Sequence, residues 1–431
     1  MKGPWLDSEM SRRLISLVLA AILVLSTGPG GADPIVDLIA AGRIAEAQAL
    51  LDATNPSEAD RAFFRGRVLK ANGQYAEAIA VFRSILRSDP TYINARRELA
   101  HTLLLNGEFD AAAHHFESLL QTDSDRDLRK GYRRFLDMIE REQPFGFSTQ
   151  LALLPSSNVN RGSSNEIFQP DDPDRGPFDI TSQAESGIGL LFGLSGYYRW
   201  PIAGRDRIVF DWGVNLAKYD NKIHDSATLR FGMTYERRLA DYQWSIGPYA
   251  RRTGRKDNDH NQAFGLRFST DRRLTQASSL FVEARYEERR YDKSSTLDGP
   301  FMSGQVGLVA PARADLTFVT GLRLSHSAPE ALYQSYDGAA VFGRVIREWP
   351  GGLTTGLGLE VGLRDYKDLF PQTTRERQDE FLNINLTLQN NTINWRGFTP
   401  VLFCSHQINS SNVAFYDYDA SECQIGFSRN F

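Results

Sequence analysis

The sequence predicts two architectures in one chain: an all-α helical repeat domain, then a transmembrane antiparallel β-barrel of about 14 strands. Three observations predict it. From Gly146 onward, apolar residues alternate with polar or small ones, the period of a strand with one apolar and one wet face. The connections between those strands alternate long and short, as they do in membrane barrels. Between Pro34 and Glu142 the period is helical, and the pattern repeats when the chain is shifted by 34 residues.

Residues 1–32 read as an export signal. Lys2, Arg12 and Arg13 precede the apolar run Leu14–Leu25, which is too short to span a bilayer comfortably, and Gly30-Gly31-Ala32 fits a small-x-small cleavage site. No cysteine lies nearby to carry a lipid. The expected domains are therefore a signal peptide over residues 1–32, a helical domain over 33–143 and a barrel over 144–431.

Within the helical domain Gly66 aligns with Ala100, Leu69 with Leu103, Gly73 with Gly107 and Tyr75 with Phe109. Ala78 then aligns with Ala112, Phe82 with Phe116 and Ile85 with Leu119. This spacing resembles tetratricopeptide repeats, in which paired antiparallel helices pack small residues against large ones. A degenerate earlier copy occupies residues 41–56, where Gly42, Ile44, Ala47 and Leu51 echo Gly73, Tyr75, Ala78 and Phe82. Residues 127–142 are expected to form a closing helix over the last apolar edge. Projecting the repeat puts Phe63, Arg67, Lys70, Asn94, Arg97 and His101 beside a groove suited to a client protein or its periplasmic chaperone. Residue by residue, the alternative is a solvated helix face with one core aromatic.

The expected strands are 146–155, 186–200, 206–217, 226–238, 242–252, 261–273, 278–290, 300–310, 314–326, 337–348, 352–365, 379–389, 395–408 and 417–431. Odd-to-even connections are long and polar, from 156–185 to 409–416, whereas even-to-odd connections such as 239–241 and 311–313 are short. Long loops belong outside the cell and short turns in the periplasm, which puts the helical domain in the periplasm. Trp200, Trp244, Trp349 and Trp395 fall near short turns, where an interfacial belt belongs. Phe431 ends the chain on the apolar face of the last strand. A terminal aromatic there resembles the signal by which barrels are recognised for insertion, which makes the barrel-assembly machinery an expected partner.

Asp211, Arg230, Arg267, Arg285, Arg323, Arg344, Glu360 and Arg364 fall on the inner face. They read either as a selectivity surface or as cross-strand pairs that keep the wall wet. The two cysteines, Cys404 and Cys423, lie symmetrically about the last loop, so a simple hairpin register sets them opposite each other. A disulfide staple and two lipid-facing thiols are both open readings.

Composition narrows the partners. A net charge of −4 argues against nucleic acid, and a mean hydropathy of −0.38 suits a barrel whose strands show lipid only every second residue. No GxSxG, HExxH or paired CxxC motif is present, so neither catalysis nor a cofactor is expected. The loop stretches His224-Asp225 and residues 257–260, and the Asp171–Asp174 oxygen cluster, read as ordinary wet loops.

Signal, short repeat module and fourteen-strand barrel together resemble the surface lipoprotein assembly modulators, the outer-membrane translocons of type XI secretion. Pro155 to Arg161, with Asn158 and Asn160, looks like that family's Asn-x-Asn stretch after the first strand; an Asx turn is the local alternative. The resemblance implies export of a lipoprotein or soluble binding protein to the cell surface, with the repeats docking the client or its chaperone. A polysaccharide exporter and a passive solute channel with a docking domain remain open at this point.

Overall fold

The computed structural model describes residues 34–430 except 124, 173, 204–205, 240–241, 256–259, 276–277, 314, 391–392 and 394–397. The expected signal segment, Trp395 and Phe431 lie outside the described residues. The helices are α1 Pro34–Ala40, α2 Ile44–Asp52, α3 Glu58–Ala71, α4 Tyr75–Ser88, α5 Ile93–Leu105, α6 Phe109–Thr122 and α7 Arg126–Glu142. The chain divides into two compact units between Phe82 and Arg83, so the helices after α4 belong to the same unit as the barrel.

The repeat positions form the helical cores. In the first unit Ile39, Ala47, Leu51 and Phe64 make one buried cluster. Gly66 lies against Phe82, where an added Cβ would come within 2.6 Å of the ring. In the second unit the aligned residues Ala100 and Phe116 are both buried, together with Leu103, Ala112 and Leu119. Each first helix ends at a glycine with a left-handed backbone: Gly42 at φ 71°, Gly73 at φ 75° and Gly107 at φ 80°. This conformation is one that other residues rarely adopt, which fixes glycine at the helix turn. It also shows that the degenerate copy turns as the two clear ones do.

The strands are β1 Phe145–Ser156, β2 Ile167–Phe168, β3 Phe178–Asp179, β4 Gly187–Ala203, β5 Asp206–Tyr219, β6 Ser226–Arg238, β7 Tyr242–Arg255, β8 Asn261–Arg273, β9 Ser279–Tyr291, β10 Gly299–Arg313, β11 Leu316–Ser327, β12 Tyr336–Glu348, β13 Leu353–Leu369, β14 Glu376–Asn390, β15 Thr399–Ser411 and β16 Tyr418–Asn430. β2 and β3 pair only with each other, inside the first long loop. The other 14 strands close one antiparallel barrel, with β1 between β4 and β16. Each expected strand meets one of them. At the closing seam, Ser148 to Leu153 pair with Asn430 to Ile425; the ladder then passes over Leu154 and Pro155 to Ser156 opposite Glu422. Proline has no N–H to give a ladder, which accounts for the gap at Pro155.

The two faces separate as their alternation requires. Ile188, Leu190, Phe192, Tyr198 and Trp200 on β4, and Leu357, Leu359, Val361 and Leu363 on β13, all point outward and are exposed in the isolated chain. An aqueous surface of that kind would be costly, and a lipid surface is not. Among the described residues no helix is long and apolar enough to cross a membrane, so the strands do the crossing.

Candidate functional site

The inner wall is built from glycine, small polar residues and a band of arginines on β6 to β13. Arg267 is ion-paired with Asp211 and donates to Thr234 Oγ1 at 2.7 Å. Arg323 reaches past Ala340 on the intervening strand to Glu360 at 2.6 Å and also binds Gln305 at 3.0 Å. Arg285 meets Ser303 at 3.3 Å, and Arg364 meets Asn409 at 3.3 Å and Asp379 at 4.0 Å. Arg230 and Arg344 make no ion pair among the described residues. The wall is therefore a partly neutralised cationic surface. Alternation alone did not single out Glu287, which is 2% exposed. Tyr249 at 2.7 Å, Arg289 at 3.0 Å and Arg251 at 3.4 Å converge on it.

The long-loop end carries a small core of its own. Phe168, Ile180, Phe370 and Val413 are buried together, from three different loops, with Tyr333, Phe415 and Tyr416 packed against them. Asp171 is ion-paired with Arg375 and accepts from the Thr374 backbone N–H at 2.7 Å. The Arg375 guanidinium, then the Thr374 N–H and hydroxyl, hold the Asp171 carboxyl well below the usual carboxylate range. Asp171 is thus committed to a neighbouring loop. Among the described residues no group of His, Cys, Asp or Glu is set to hold a metal ion. His224 faces Glu185 at 3.0 Å, and Asp225 turns to Lys218 at 2.9 Å.

Asn158 and Asn160 shape the first long loop. Asn158 is buried; its Nδ2 donates to the Gly162 and Asp419 carbonyls at 2.9 and 3.0 Å, and its Oδ1 accepts from the Gly162 N–H at 2.8 Å. Asn160 donates to the Gln183 carbonyl at 2.7 Å and accepts from the Glu185 N–H at 3.0 Å. Between them and Gly162, Arg161 adopts φ 50° and reaches Gln407 at 3.1 Å and Glu422 at 3.4 Å. The Asx geometry extends here into a clamp that ties the loop to itself and to β16.

The helical candidates divide between the two units. Phe63, Arg67 and Lys70 are half-buried on α3, with the Arg67 guanidinium 5.7 Å from the Phe63 ring. On α5, Arg97 binds Asn94 at 2.9 Å, Asp123 at 2.7 Å and the Tyr132 hydroxyl at 3.0 Å, while His101 lies 5.5 Å from the Phe135 ring. The closing helix α7 therefore covers much of this face of α5, and Arg97 belongs to an internal network. Burial, together with the hydrogen bond to Asp123, pushes the Tyr132 hydroxyl pKa up.

Sequence reasoning missed the join between these helices and the short-turn rim. Arg96, although 5% exposed, donates to the Pro90 carbonyl at 3.0 Å and to Glu348 on β12 at 2.8 Å. Glu140 on α7 binds Arg238 at 2.5 Å and is also ion-paired with Arg207. Arg273 donates to the Leu120 carbonyl, and the Gly351 N–H to the Arg87 carbonyl at 2.9 Å. Such pairs lie far apart in sequence and leave no periodic signal. Trp200 and Trp349 are exposed near the same rim.

Cys404 and Cys423 stand directly opposite each other on β15 and β16 and are bonded. Closed on itself, apolar outside and wet inside, the barrel is an outer-membrane barrel.

The surface lipoprotein assembly modifier family model matches residues 146–431, and a tetratricopeptide repeat model matches residues 69–131. Surface lipoprotein assembly modifiers 1 and 2 of Haemophilus influenzae are 21% and 22% identical over 374 residues, covering 84% of this chain and 76% of theirs. The Hemophilin secretion modulator of Acinetobacter baumannii is 24% identical over 389 residues, covering 86% of this chain and 78% of that protein. Among solved structures, OccAB3 of Acinetobacter baumannii superposes with a TM-score of 0.37 at 9% identity, over 67% of this chain and 99% of its own. By a match that spans the whole barrel, the chain belongs to the surface lipoprotein assembly modifier family.

Proposed function

We propose that this chain is an outer-membrane translocon that delivers a lipoprotein or soluble binding protein to the cell surface. The helical domain over residues 33–143 lies in the periplasm and receives the client or its chaperone. The barrel over residues 144–431 passes the client outward or inserts it. The observation that carries the reading is the fusion of repeats to a barrel of this family, with Arg96 and Glu140 ion-paired to the short-turn rim. Helices α5 and α7, joined in this way to one mouth of a wet barrel, are suited to handing a bound chain to that mouth.

The candidate groove residues Phe63, Arg67, Lys70, Asn94, Arg97 and His101 remain our proposed contact positions, with the exposed side of Asn94 and the α3 set favoured over Arg97. Residues 1–32 direct export, and Phe431 presents the barrel to its assembly machinery. The inner charges set what the wall accepts, and the Asn158 and Asn160 clamp holds the first loop.

The test is a surface-proteome comparison of cells with and without this chain. Loss of one or a few proteins from the surface or medium, with retention in the periplasm, is the expected result. An unchanged protein surface with altered capsule or solute uptake would overturn the reading.

A further inference from the structure

One stretch of the inner wall is a charged cavity rather than a uniformly wet lining. A cavity of about 600 Å³ opens there, and Arg267, Arg285, Arg323 and Arg364 line it with Glu283 and Glu360. Arg267 and Arg285 occupy directly opposed positions on β8 and β9. Like charges so placed repel each other, and a barrel needing only a wet wall gains nothing from them. Carboxylates neutralise the set only in part: Arg267 leans to Asp211 and Arg323 to Glu360, Arg285 lies 3.5 Å from Glu287, which Arg251 and Arg289 also claim, and Arg364 lies 4.0 Å from Asp379, which Arg377 also claims.

The arginines are also held in place. The Arg364 guanidinium lies 4.4 Å from the Phe381 ring centroid, and Arg285 5.2 Å from that of Phe301. Glu283 accepts from Gln305 at 2.7 Å, Gln305 accepts from Arg323 at 3.0 Å, and Arg323 donates to Glu360 at 2.6 Å. This chain joins side chains from four strands, β9, β10, β11 and β13, and presents donors and acceptors in alternation. Positioned guanidinium forks bind carboxylates well, since little freedom is lost on binding.

We propose that this pocket binds a carboxylate-rich, extended segment of polypeptide. The inference rests on the export reading for its biological setting and names the chemistry of what the barrel admits. The two pocket carboxylates distinguish peptide from acidic polysaccharide. Glu283 and Glu360 repel a polymer that carries a carboxylate on every unit, but they accept hydrogen bonds from peptide N–H groups between acidic side chains. Phe301 and Phe381 add apolar contact for the side chains in between.

The experiment uses the full-length protein purified in detergent micelles at low salt. Its probe is a fluorescein-labelled peptide of alternating Glu and Gly, with an alternating Gln and Gly peptide as control and oligogalacturonate as competitor. The acidic peptide is expected to bind and the control not to. Loss of two charged hydrogen-bonding partners in the double variant R285Q/R323Q weakens binding at least about tenfold. The R313Q variant, whose arginine pairs with Asp315 near a short turn, retains it. The E360Q variant frees Arg323 and tightens binding a few-fold, a gain that damaged folding cannot produce. Heat-dependent gel mobility confirms that each variant is a closed barrel.

Absence of acidic-peptide binding by the wild type, or an affinity unmoved by R285Q/R323Q, overturns the proposal. Equal or better competition by oligogalacturonate overturns it in favour of an acidic polysaccharide. No client or cell enters this assay, so its failure leaves the surface-proteome result standing, and the converse holds as well.

Discussion

Asn158 donates to the carbonyl of Asp419 at 3.0 Å, so the first long loop is tied to the last strand just beyond the point where their ladder ends at Ser156 and Glu422. The same amide spans its own loop to Gly162 through donor and acceptor alike. Replacing Asn158 with Ala leaves buried backbone groups without partners, at about 1–3 kcal/mol. Asn158→Asp keeps the acceptor for the Gly162 N–H and loses both donations. Both variants are expected to speed protease cleavage within residues 157–186 on intact cells and to raise uptake of a large antibiotic. Unchanged cleavage would mean the clamp does not hold the loop.

The Asp171 to Arg375 pair makes a separate prediction, through pH. Arg375 and Thr374 hold the Asp171 carboxyl below its ordinary value, so the pair contributes above the ordinary carboxylate pKa and is lost as pH falls through the depressed one. The amide protection factors over residues 165–180, referenced to the intrinsic exchange rate at each pH, are expected to stay flat from mildly basic to mildly acidic pH and to fall only well below about pH 4. Asp171→Asn should show the lower protection throughout the pH range in which the wild type stays flat. A transition near neutrality would point to a different group.

The barrel was legible because its physics is periodic. Alternation in stretches such as 188–200 and 353–364 encodes a lipid face and a wet face, and the connections between strands are long at one end and short at the other. The opposition of Cys404 and Cys423 followed from hairpin symmetry alone. Arg97 was different. Its repeat position puts it on the groove side of α5, but which neighbour covers that side depends on how α7 closes the stack, and the partner Asp123 carries no periodic mark. The same holds for Arg96 with Glu348, and for Glu287 among its arginines. These contacts join residues whose separation in sequence is arbitrary, and only the assembled fold brings them together.

The bond between Cys404 and Cys423 closes a short stretch, with a sequence separation of 19. Loop-closure entropy then assigns it about 3 kcal/mol at most, and the ladder between β15 and β16 already enforces much of that proximity. Cys404→Ser and Cys423→Ser, alone or together, are expected to lower the unfolding temperature modestly and to the same extent. Incubating the wild type with dithiothreitol should reproduce the shift. A shift in the double variant much larger than in either single one would contradict the staple.

Glu140 offers the sharpest test of the join between helices and rim. Burial raises its pKa, but Arg238 and Arg207 outweigh that and hold the carboxyl below its ordinary value. The carboxylate therefore stabilises the docked helices above the ordinary carboxylate pKa, and the contribution is lost as pH falls through the depressed value. Glu140→Gln keeps the shape and removes the charge, which leaves Arg207, only 9% exposed in its side chain, with Glu236 alone. Breaking one side of a buried pair costs about 3 kcal/mol. In the full-length protein, hydrogen exchange in α7 is expected to quicken at neutral pH, while heat-dependent gel mobility still reports a closed barrel. Because the lost group is the one that titrates, the variant should also lose the acid-induced fall in α7 protection factor that is expected of the wild type. Retention of that fall in Glu140→Gln would assign it to another carboxylate at the rim.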